Sequence, residues 1–422
     1  MSRKGVKGAR PHGFNALVGA QFFGAFNDNL FKQLILILAV LVLFPGKDMQ
    51  GLAFAVFSLP FILFSGLAGD LSERYSKRTI IVWMKVAEIG VMCLGILAFM
   101  TMSWTLMLVV LGVMGVQSAF FGPSKYGVIP ELVTPEKLVP ANGMITMTTF
   151  LALLTGQALA GPIMDHFGPK AESPSLWVPG VFCVGFAIVG ALIASRMEPL
   201  TPQKPEQRIS RNPFGDVFKT MKTLRASKGL FALVLLNSFF WFNSAVLNQA
   251  VNGLSKPAYL SIPANQSTEL SYLLATISIG IIIGSVLAPR LAKTLGLGKV
   301  VFIGAAGMVV LQVGLLLIGT VFVRDNGGFW VAIGLLAAIG AVGALGIVSV
   351  QAYLQGAPPP GMRGQTFAVN NFLNFTFMFL AGVFYLLSNL VGPTVVQVAS
   401  AIIMLAYLIV IRSHVSAMHI EQ

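Results

Sequence analysis

The residues most able to do chemistry lie together in one apolar stretch close to the N-terminus. The run 14–44 is long enough to cross a bilayer, and Asp28 lies half-way along it between Asn27 and Asn29. Lys32 follows Asp28 by four positions, so the two side chains share one helix face. A carboxylate at that depth costs about 2.5–3.5 kcal/mol on insertion scales, and it therefore faces a cavity or a partner. The pattern predicts either a buried ion pair that fastens helix packing or a polar site for a zwitterionic, lipid-like ligand.

Further charged residues lie in or near later apolar stretches. Lys85 and Glu88 are three positions apart, which predicts a structural ion pair near the membrane interface. Lys125 follows a Gly-Pro pair that we expect to end the fourth span, where it could bind a ligand or extend its ammonium to the interface. The chain carries no Gly-x4-Gly-Lys-Ser/Thr loop and no clustered Ser-His-Asp set, so we expect neither an enzyme nor a cofactor.

The composition indicates a polytopic membrane protein. Hydrophobic residues make up 56% of the 422 residues and charged residues only 10%. The net charge of +13 is carried by the segments between the apolar runs, so we expect no nucleic acid partner. Cys93 and Cys183 both lie inside predicted spans, and they therefore imply neither a disulfide framework nor a metal site.

The elements that must position these residues are twelve predicted transmembrane helices. A basic, proline-containing linker at 196–228 separates a first bundle at 1–195 from a second at 229–422. Six spans, a linker and six spans is the layout of the major facilitator superfamily. We therefore expect an all-α, monomeric protein of two six-helix bundles, with a central cavity lined by spans one, four, seven and ten. The predicted spans are 14–44, 50–70, 79–101, 104–121, 141–166, 176–195, 229–253, 268–290, 298–320, 328–352, 364–388 and 393–412.

The distribution of Lys and Arg predicts the orientation. With the N-terminus inside, 22 Lys/Arg fall on the cytoplasmic side and four on the outer side. The positive-inside rule then places both termini in the cytoplasm.

The two halves also show a weak internal repeat. Placing Phe26-Asn27 over Phe242-Asn243 corresponds to a shift of 216 residues, about half the chain. This register puts Ser244 opposite Asp28, so only the first half keeps the acid. Parallel repeats of this kind are typical of major facilitator proteins.

The stretch after the second span resembles the facilitator signature between spans two and three. It runs from Gly66 through Asp70 and Arg74 to Arg78, and we expect it to be a loop. The resemblance implies that Asp70 and Arg78 form a cytoplasmic gate clasp, next to Gly66 and Arg74, and do not touch substrate. The alternative is a solvated loop that only sets the topology.

Three further stretches make the resemblance more specific. The stretches 25–29, 120–143 and 353–372 are similar to the bacterial lysophospholipid transporter family. This resemblance covers essentially the whole chain, and it implies movement of a lysophospholipid, such as lysophosphatidylethanolamine, from the outer to the inner leaflet of the inner membrane. It also implies re-acylation there by a separate acyltransferase/acyl-carrier-protein synthetase.

A phosphoethanolamine head group needs an anion for its ammonium and donors for its phosphate. We expect Asp28 to serve the first need. The candidate residues for the phosphate and the acyl chain are Asn27, Asn29, Lys32, Lys125, Asn248, Phe26 and Trp241.

One departure from the family concerns span seven. Members often carry a basic residue there, whereas this chain has amides at Asn248, Gln249 and Asn252. Two other functions stay open from the residues: a proton-coupled exporter of drugs or metabolites in which Asp28 titrates, and a non-transporting scaffold for a lipid-remodelling enzyme.

Overall fold

The structure is a computed structural model that describes most of the chain. The described residues are 11–44, 46–134, 137–202, 205–206, 209, 212–226, 228–356 and 363–418. Within these ranges the regular structure is almost entirely α-helical. The helices are α1 (Pro11–Leu38), α2 (Gln50–Arg74), α3 (Lys77–Thr101), α4 (Trp104–Leu132), α5 (Leu138–Phe167), α6 (Trp177–Ser195), α7 (Pro213–Ala226), α8 (Lys228–Gly253), α9 (Ser267–Leu295), α10 (Leu297–Gly314), α11 (Gly328–Gly356), α12 (Arg363–Tyr385), α13 (Ser388–Val391), α14 (Pro393–Val410) and α15 (Arg412–Ser416).

The predicted number of membrane spans is confirmed. Twelve helices in the described part of the chain are long and apolar enough to cross a membrane. Their lengths follow from the bilayer, because about 20 apolar residues in a helix cover the hydrocarbon thickness. A single turn of π-helix, Ala39–Leu43, continues α1 to the end of the first span.

The prediction that the fourth span ends at the Gly-Pro pair is wrong. α4 continues through Pro123 and Pro130 as far as Leu132. A proline inside a membrane helix is tolerated because neighbouring helices and local adjustments can satisfy the freed carbonyl. Lys125 therefore lies on a continuous helix.

The linker contains a helix, α7, that its proline content did not predict. α7 is amphipathic: Met221 and Leu224 are buried, while Lys219 and Lys222 are exposed. Its buried side belongs to the same apolar cluster as residues of α8 and α14.

The chain forms two compact units. Unit 1 consists of the described residues of Met1–Ile35 and Leu63–Pro213, and unit 2 of those of Leu36–Ile62 and Phe214–Gln422. A division by chain halves would assign 36–62 to the first bundle, whereas these residues pack within unit 2. The two six-helix bundles bounded at 195 and 229 stay a prediction.

Each half of the chain ties its first membrane span to its third by a buried amide. In unit 1, Asn27 of α1 donates to Glu88 of α3 at 2.9 Å. In unit 2, Asn243 of α8 exchanges hydrogen bonds with Gln312 of α10 at 3.0 and 3.4 Å. The two asparagines are the pair that the internal repeat superimposes. Buried polar groups need partners, and in a bundle they find them on the neighbouring helix.

Candidate functional site

Asp28 combines one satisfied carboxylate oxygen with one unsatisfied oxygen. Its Oδ2 accepts a hydrogen bond from Ser118 Oγ of α4 at 2.7 Å. Its Oδ1 is buried and accepts no hydrogen bond from the described residues. Ser118 also lies 3.1 Å from Gln117 Oε1, but its single proton favours the shorter and charged acceptor. Ser118 thus orients the carboxylate through Oδ2, and Oδ1 stays available to a hydrogen-bond donor.

Glu88 contrasts with Asp28, since both of its oxygens are occupied. Lys85 Nζ lies 2.6 Å from Glu88 Oε2, and Asn27 donates to Oε1. Lys85 also lies over the ring of Phe121 at 4.9 Å, a cation–π contact. The predicted pair is therefore confirmed, but its placement near the interface is wrong: both side chains are at most 2% exposed and contact the middle of α1.

Gly24 of α1 makes room for this pair. A Cβ at that position would meet Lys85 Nζ, so any side chain there would require the ammonium to shift. Asn27, a candidate for substrate contact, is fully buried and directs its amide NH2 to Glu88. The structure places Asn27 in the packing of α1 against α3.

Asn29 and Lys32 form a local arrangement on α1. Asn29 donates to the carbonyl of Ala25 at 2.7 Å, and Lys32 Nζ donates to Asn29 Oδ1 at 3.3 Å. Both side chains are 8% exposed. Hydrogen bonds within α1 therefore fix both side chains on the helix that carries Asp28.

Phe26 lies in an aromatic cluster. It is 6% exposed and packs edge-on against Phe186 of α6 with a centroid distance of 4.6 Å. Phe22 stacks on Phe26 at 6.1 Å. These contacts place Phe26 in the packing of α1 against α6.

Lys125 lies on α4 seven residues after Ser118, which is two helical turns on the same face. The separation corresponds to about 10 Å along the helix axis. Its Nζ lies 4.3 Å from the centroid of the Tyr126 ring, and the residue is 9% exposed. The side chain is therefore buried in unit 1 on the face of α4 that holds Asp28.

In unit 2, one face of α8 carries polar atoms without partners. Trp241 Nε1 and Asn248 Oδ1 are buried and make no hydrogen bond among the described residues. Ser244 lies between them along the helix and is exposed. The spacing of three and four residues puts the three side chains on one face. This face offers a donor, a hydroxyl and an amide to a ligand.

The gating stretch is helical where a loop was predicted. Gly66, Asp70 and Arg74 all belong to α2 and, at intervals of four, share one of its faces. Arg78 at the start of α3 donates to the carbonyls of Met197 at 3.2 Å and Ser195 at 3.0 Å. It therefore caps the end of α6, and these two hydrogen bonds do not involve Asp70. The gate role of the four residues stays a prediction.

Two features of the site were missed from the sequence. Ser118, which holds Asp28, is a single hydroxyl in an apolar helix, and its only signal is its two-turn spacing from Lys125. The depth of the Lys85–Glu88 pair was also missed, because the three-residue spacing predicts pairing but not burial.

No group of three or more His, Cys, Asp or Glu side chains in the described ranges could hold a metal ion.

Comparisons with known proteins show the family and the fold of the chain. A family model described as the Major Facilitator Superfamily matches residues 17–383. The chain is 29% identical to the lysophospholipid transporter LplT of Enterobacter sp. (strain 638) over 92% of this chain and 91% of that protein. It is 28% identical to the protein of the same name from Escherichia coli O1:K1 / APEC over the same shares of both chains.

Solved structures show the same fold. A bacterial homologue of the iron transporter ferroportin in an inward-facing state aligns with a TM-score of 0.69 and 16% identity, covering 95% of this chain and 98% of that one. A mutant form of the nucleoside transporter NupG aligns with a TM-score of 0.69 and 12% identity, covering 96% and 99%. At these identities the likeness concerns the fold alone. The predicted fold class is confirmed, and the chain is a multi-pass membrane protein.

Proposed function

This chain belongs to the Major Facilitator Superfamily, and we propose that it moves lysophospholipids, such as lysophosphatidylethanolamine, from the outer to the inner leaflet by alternating access. One observation carries the proposal: the chain is similar to lysophospholipid transporters over 92% of its length. The transport named for its relatives supports action by binding and release and not as an enzyme.

The chemistry of Asp28 supports a ligand with an ammonium group. An ammonium has only donors, and a carboxylate has only acceptors. Asp28 Oδ1 is buried and unpartnered among the described residues, whereas Glu88 has no oxygen left to offer. The ammonium of phosphoethanolamine binds Asp28 Oδ1 and replaces the water that the buried oxygen has lost.

The phosphate needs donors, and several candidates fit this need. Lys125 supplies a cation in unit 1. The indole N–H of Trp241 is an unpartnered donor in the described part of unit 2, and Asn248 and Ser244 lie on the same face of α8. A neutral amide and indole face binds phosphate more weakly than an arginine does. This face lacks the basic residue that is frequent in span seven of the family. We therefore expect the transporter to be less selective for the phosphate of a head group than for its ammonium.

Charge distribution and relatives support a cellular setting. The excess of Lys and Arg on one side supports a cytoplasmic location for both termini, and the bacterial relatives support the inner membrane. The transporter works as a monomer, without a cofactor, and a separate acyltransferase/acyl-carrier-protein synthetase re-acylates its product. Membrane lipids surround it, and nucleic acid is not a partner.

Uptake of labelled lysophosphatidylethanolamine tests the proposal. Spheroplasts that express the chain are compared with spheroplasts carrying the empty vector, and efflux of a cationic dye is followed in the same cells. We expect import of the lipid without dye efflux. Dye efflux that depends on a proton gradient, without lipid import, would identify a proton-coupled exporter instead.

A further inference from the structure

The segment 36–62 has an unusual position in the chain. It holds the end of α1, the π-turn, the first interhelical connection and the first half of α2, and it packs within unit 2. Both α1 and α2 therefore pass from one unit to the other, between Ile35 and Leu36 and between Ile62 and Leu63. Contacts that hold this segment in unit 2 therefore restrain parts of both α1 and α2.

Asp48 lies at the centre of these contacts and is fully buried. Its Oδ2 lies 3.1 Å from Lys256 Nζ and accepts a hydrogen bond from Tyr385 Oη at 3.2 Å. Its Oδ1 accepts from the backbone N–H of Gln50 at 3.1 Å. Asn389 Oδ1 accepts a hydrogen bond from the backbone N–H of Asp48 at 2.6 Å, and Asn389 Nδ2 donates to the backbone carbonyl of Asp48 at 3.0 Å. We call these five residues the Asp48 latch.

A second layer of hydrogen bonds extends the latch to α8. Asn252 donates to Gln50 Oε1 at 2.8 Å. The carbonyl of Gln249 accepts from Gln50 Nε2 at 3.2 Å and lies 2.9 Å from Tyr385 Oη, whose single proton is shared between this carbonyl and Asp48 Oδ2. The partners of Asp48 are thus connected to each other as well as to the acid.

Close helix packing continues the contact along α2. Gly51 of α2 and Gly382 of α12 lie so close that a Cβ on either would meet the backbone carbonyl of the other. Further along, the rings of Phe61 and Phe375 stack with a centroid distance of 3.7 Å. The first half of α2 therefore rests on α12 through polar, backbone and aromatic contacts in turn.

Weak points in both helices lie close to the boundaries of the segment. Pro60 lies in α2 two residues before that helix passes into unit 1, and a proline removes one hydrogen bond of the helix. On the α1 side, the π-turn Ala39–Leu43 follows the boundary by a few residues, and such turns often mark functional positions. Bending at these two places could free the segment without unfolding either helix.

We propose that the Asp48 latch is a conformational lock that holds residues 36–62 on α8 and α12, and that its release opens the transporter on this side of the membrane. The α1–α2, α8–α9 and α12–α14 connections are alternate connections of the twelve spans, so all three lie on the side opposite to the linker. The proposed orientation makes this the outer side, where the lysolipid is taken up. Only this last step rests on the proposed function.

The chemistry of the latch suits a reversible contact. A buried ion pair gains attraction but loses hydration, and the two terms nearly cancel. When the segment leaves unit 2, Asp48 and Lys256 recover water, so breaking the ion pair itself carries little penalty. Removing one partner breaks this balance, because the buried charge left behind favours the hydrated, open state.

A cysteine at Ala55 reports the position of the segment. Ala55 is 7% exposed and its backbone N–H lies beside Gly382, so a cysteine there is shielded while the latch is closed. The background carries Cys93→Ser and Cys183→Ala, which removes the native cysteines. A membrane-impermeant maleimide is added to spheroplasts and, separately, to inside-out vesicles. We expect Asp48→Asn to raise the labelling rate at least about tenfold, and from one side of the membrane only. This factor corresponds to the loss of one hydrogen bond to a charged group.

Two milder variants and one matched control complete the test. Lys256→Gln and Tyr385→Phe each remove one partner of Asp48 and should also raise the labelling rate. Glu269→Gln breaks another ion pair, Arg324–Glu269 at 2.6 Å, which is more exposed than Asp48–Lys256 and lies on the same membrane side but outside the segment. It should leave the labelling rate unchanged.

The latch is refuted if Lys256→Gln and Tyr385→Phe fold with unchanged melting temperatures and neither speeds labelling. It is also refuted if the Glu269→Gln control accelerates labelling as much as they do. No lysolipid is present in this assay, so a failed latch and a failed lipid-uptake experiment give separate answers.

Discussion

Replacing Asp28 with asparagine tests the central element of the site. In the structure, Asp28 Oδ2 is held by Ser118 at 2.7 Å, and Oδ1 has no partner among the described residues. An asparagine can keep the bond from Ser118 through its carbonyl oxygen, which places its NH2 group where the second carboxylate oxygen was. An NH2 group donates and cannot accept from an ammonium, so the substitution removes the contact and leaves the fold in place.

The expected loss follows from the strength of a hydrogen bond to a charged group. Such a bond contributes about 1.5–3 kcal/mol net, so lysophosphatidylethanolamine should bind about ten- to a hundredfold more weakly to Asp28→Asn. Lysophosphatidylglycerol has no ammonium, and its transport should fall by no more than about threefold, or about 0.7 kcal/mol. The ratio of the two uptake rates is therefore the decisive number.

The assay compares both lysolipids in one population of spheroplasts, with the amount of protein and its melting temperature measured in parallel. Ser118→Ala is the control, because it keeps the charge of Asp28 and removes only one neutral donor. It should weaken lysophosphatidylethanolamine binding by less than Asp28→Asn does. Equal losses for both lysolipids in Asp28→Asn, together with a lower melting temperature, would show that Asp28 serves helix packing and refute the ammonium assignment.

Three further predictions concern packing, gating and the driving force. Gly24→Ala places a methyl group against Lys85 Nζ, the flexible end of that side chain, while alanine favours the helix by about 1 kcal/mol, so the free energy of unfolding should change by less than about 1 kcal/mol; a loss above about 3 kcal/mol, seen as a lower melting temperature in detergent, would show that the ammonium cannot shift. Asp70→Asn should slow exchange of lysolipid across the membrane while its affinity stays within about twofold, because the residue biases a two-state equilibrium; a tenfold loss of affinity at an unchanged exchange rate would show that Asp70 binds substrate. Lysolipid import should continue when an uncoupler removes the proton gradient, provided that re-acylation is held constant; its abolition would favour a proton-coupled mechanism.

The sequence determined the elements because membrane insertion depends on local properties. A helix of about 20 apolar residues is stable in a bilayer whatever its neighbours are, so the twelve spans could be predicted to within a few residues at most ends. The same reasoning singled out Asp28 as a costly charge that needs a function. It failed at Pro123, where a rule for soluble helices predicted an end that a membrane helix does not need.

The partner of each buried polar group was decided only by the tertiary structure. Three of the acids in or beside the first three spans show this, and the spacing does not distinguish them. Glu88 has both oxygens filled by Lys85 and Asn27, Asp48 is enclosed by unit 2, and Asp28 keeps one oxygen unpartnered among the described residues. These differences come from helices that are distant in the chain, since Asn27 and Glu88 are 61 residues apart and Asp48 and Lys256 are 208 apart. Hydrophobicity is additive along a segment and can be read locally, whereas a hydrogen bond needs two groups within about 3 Å, which only the packed helices can provide.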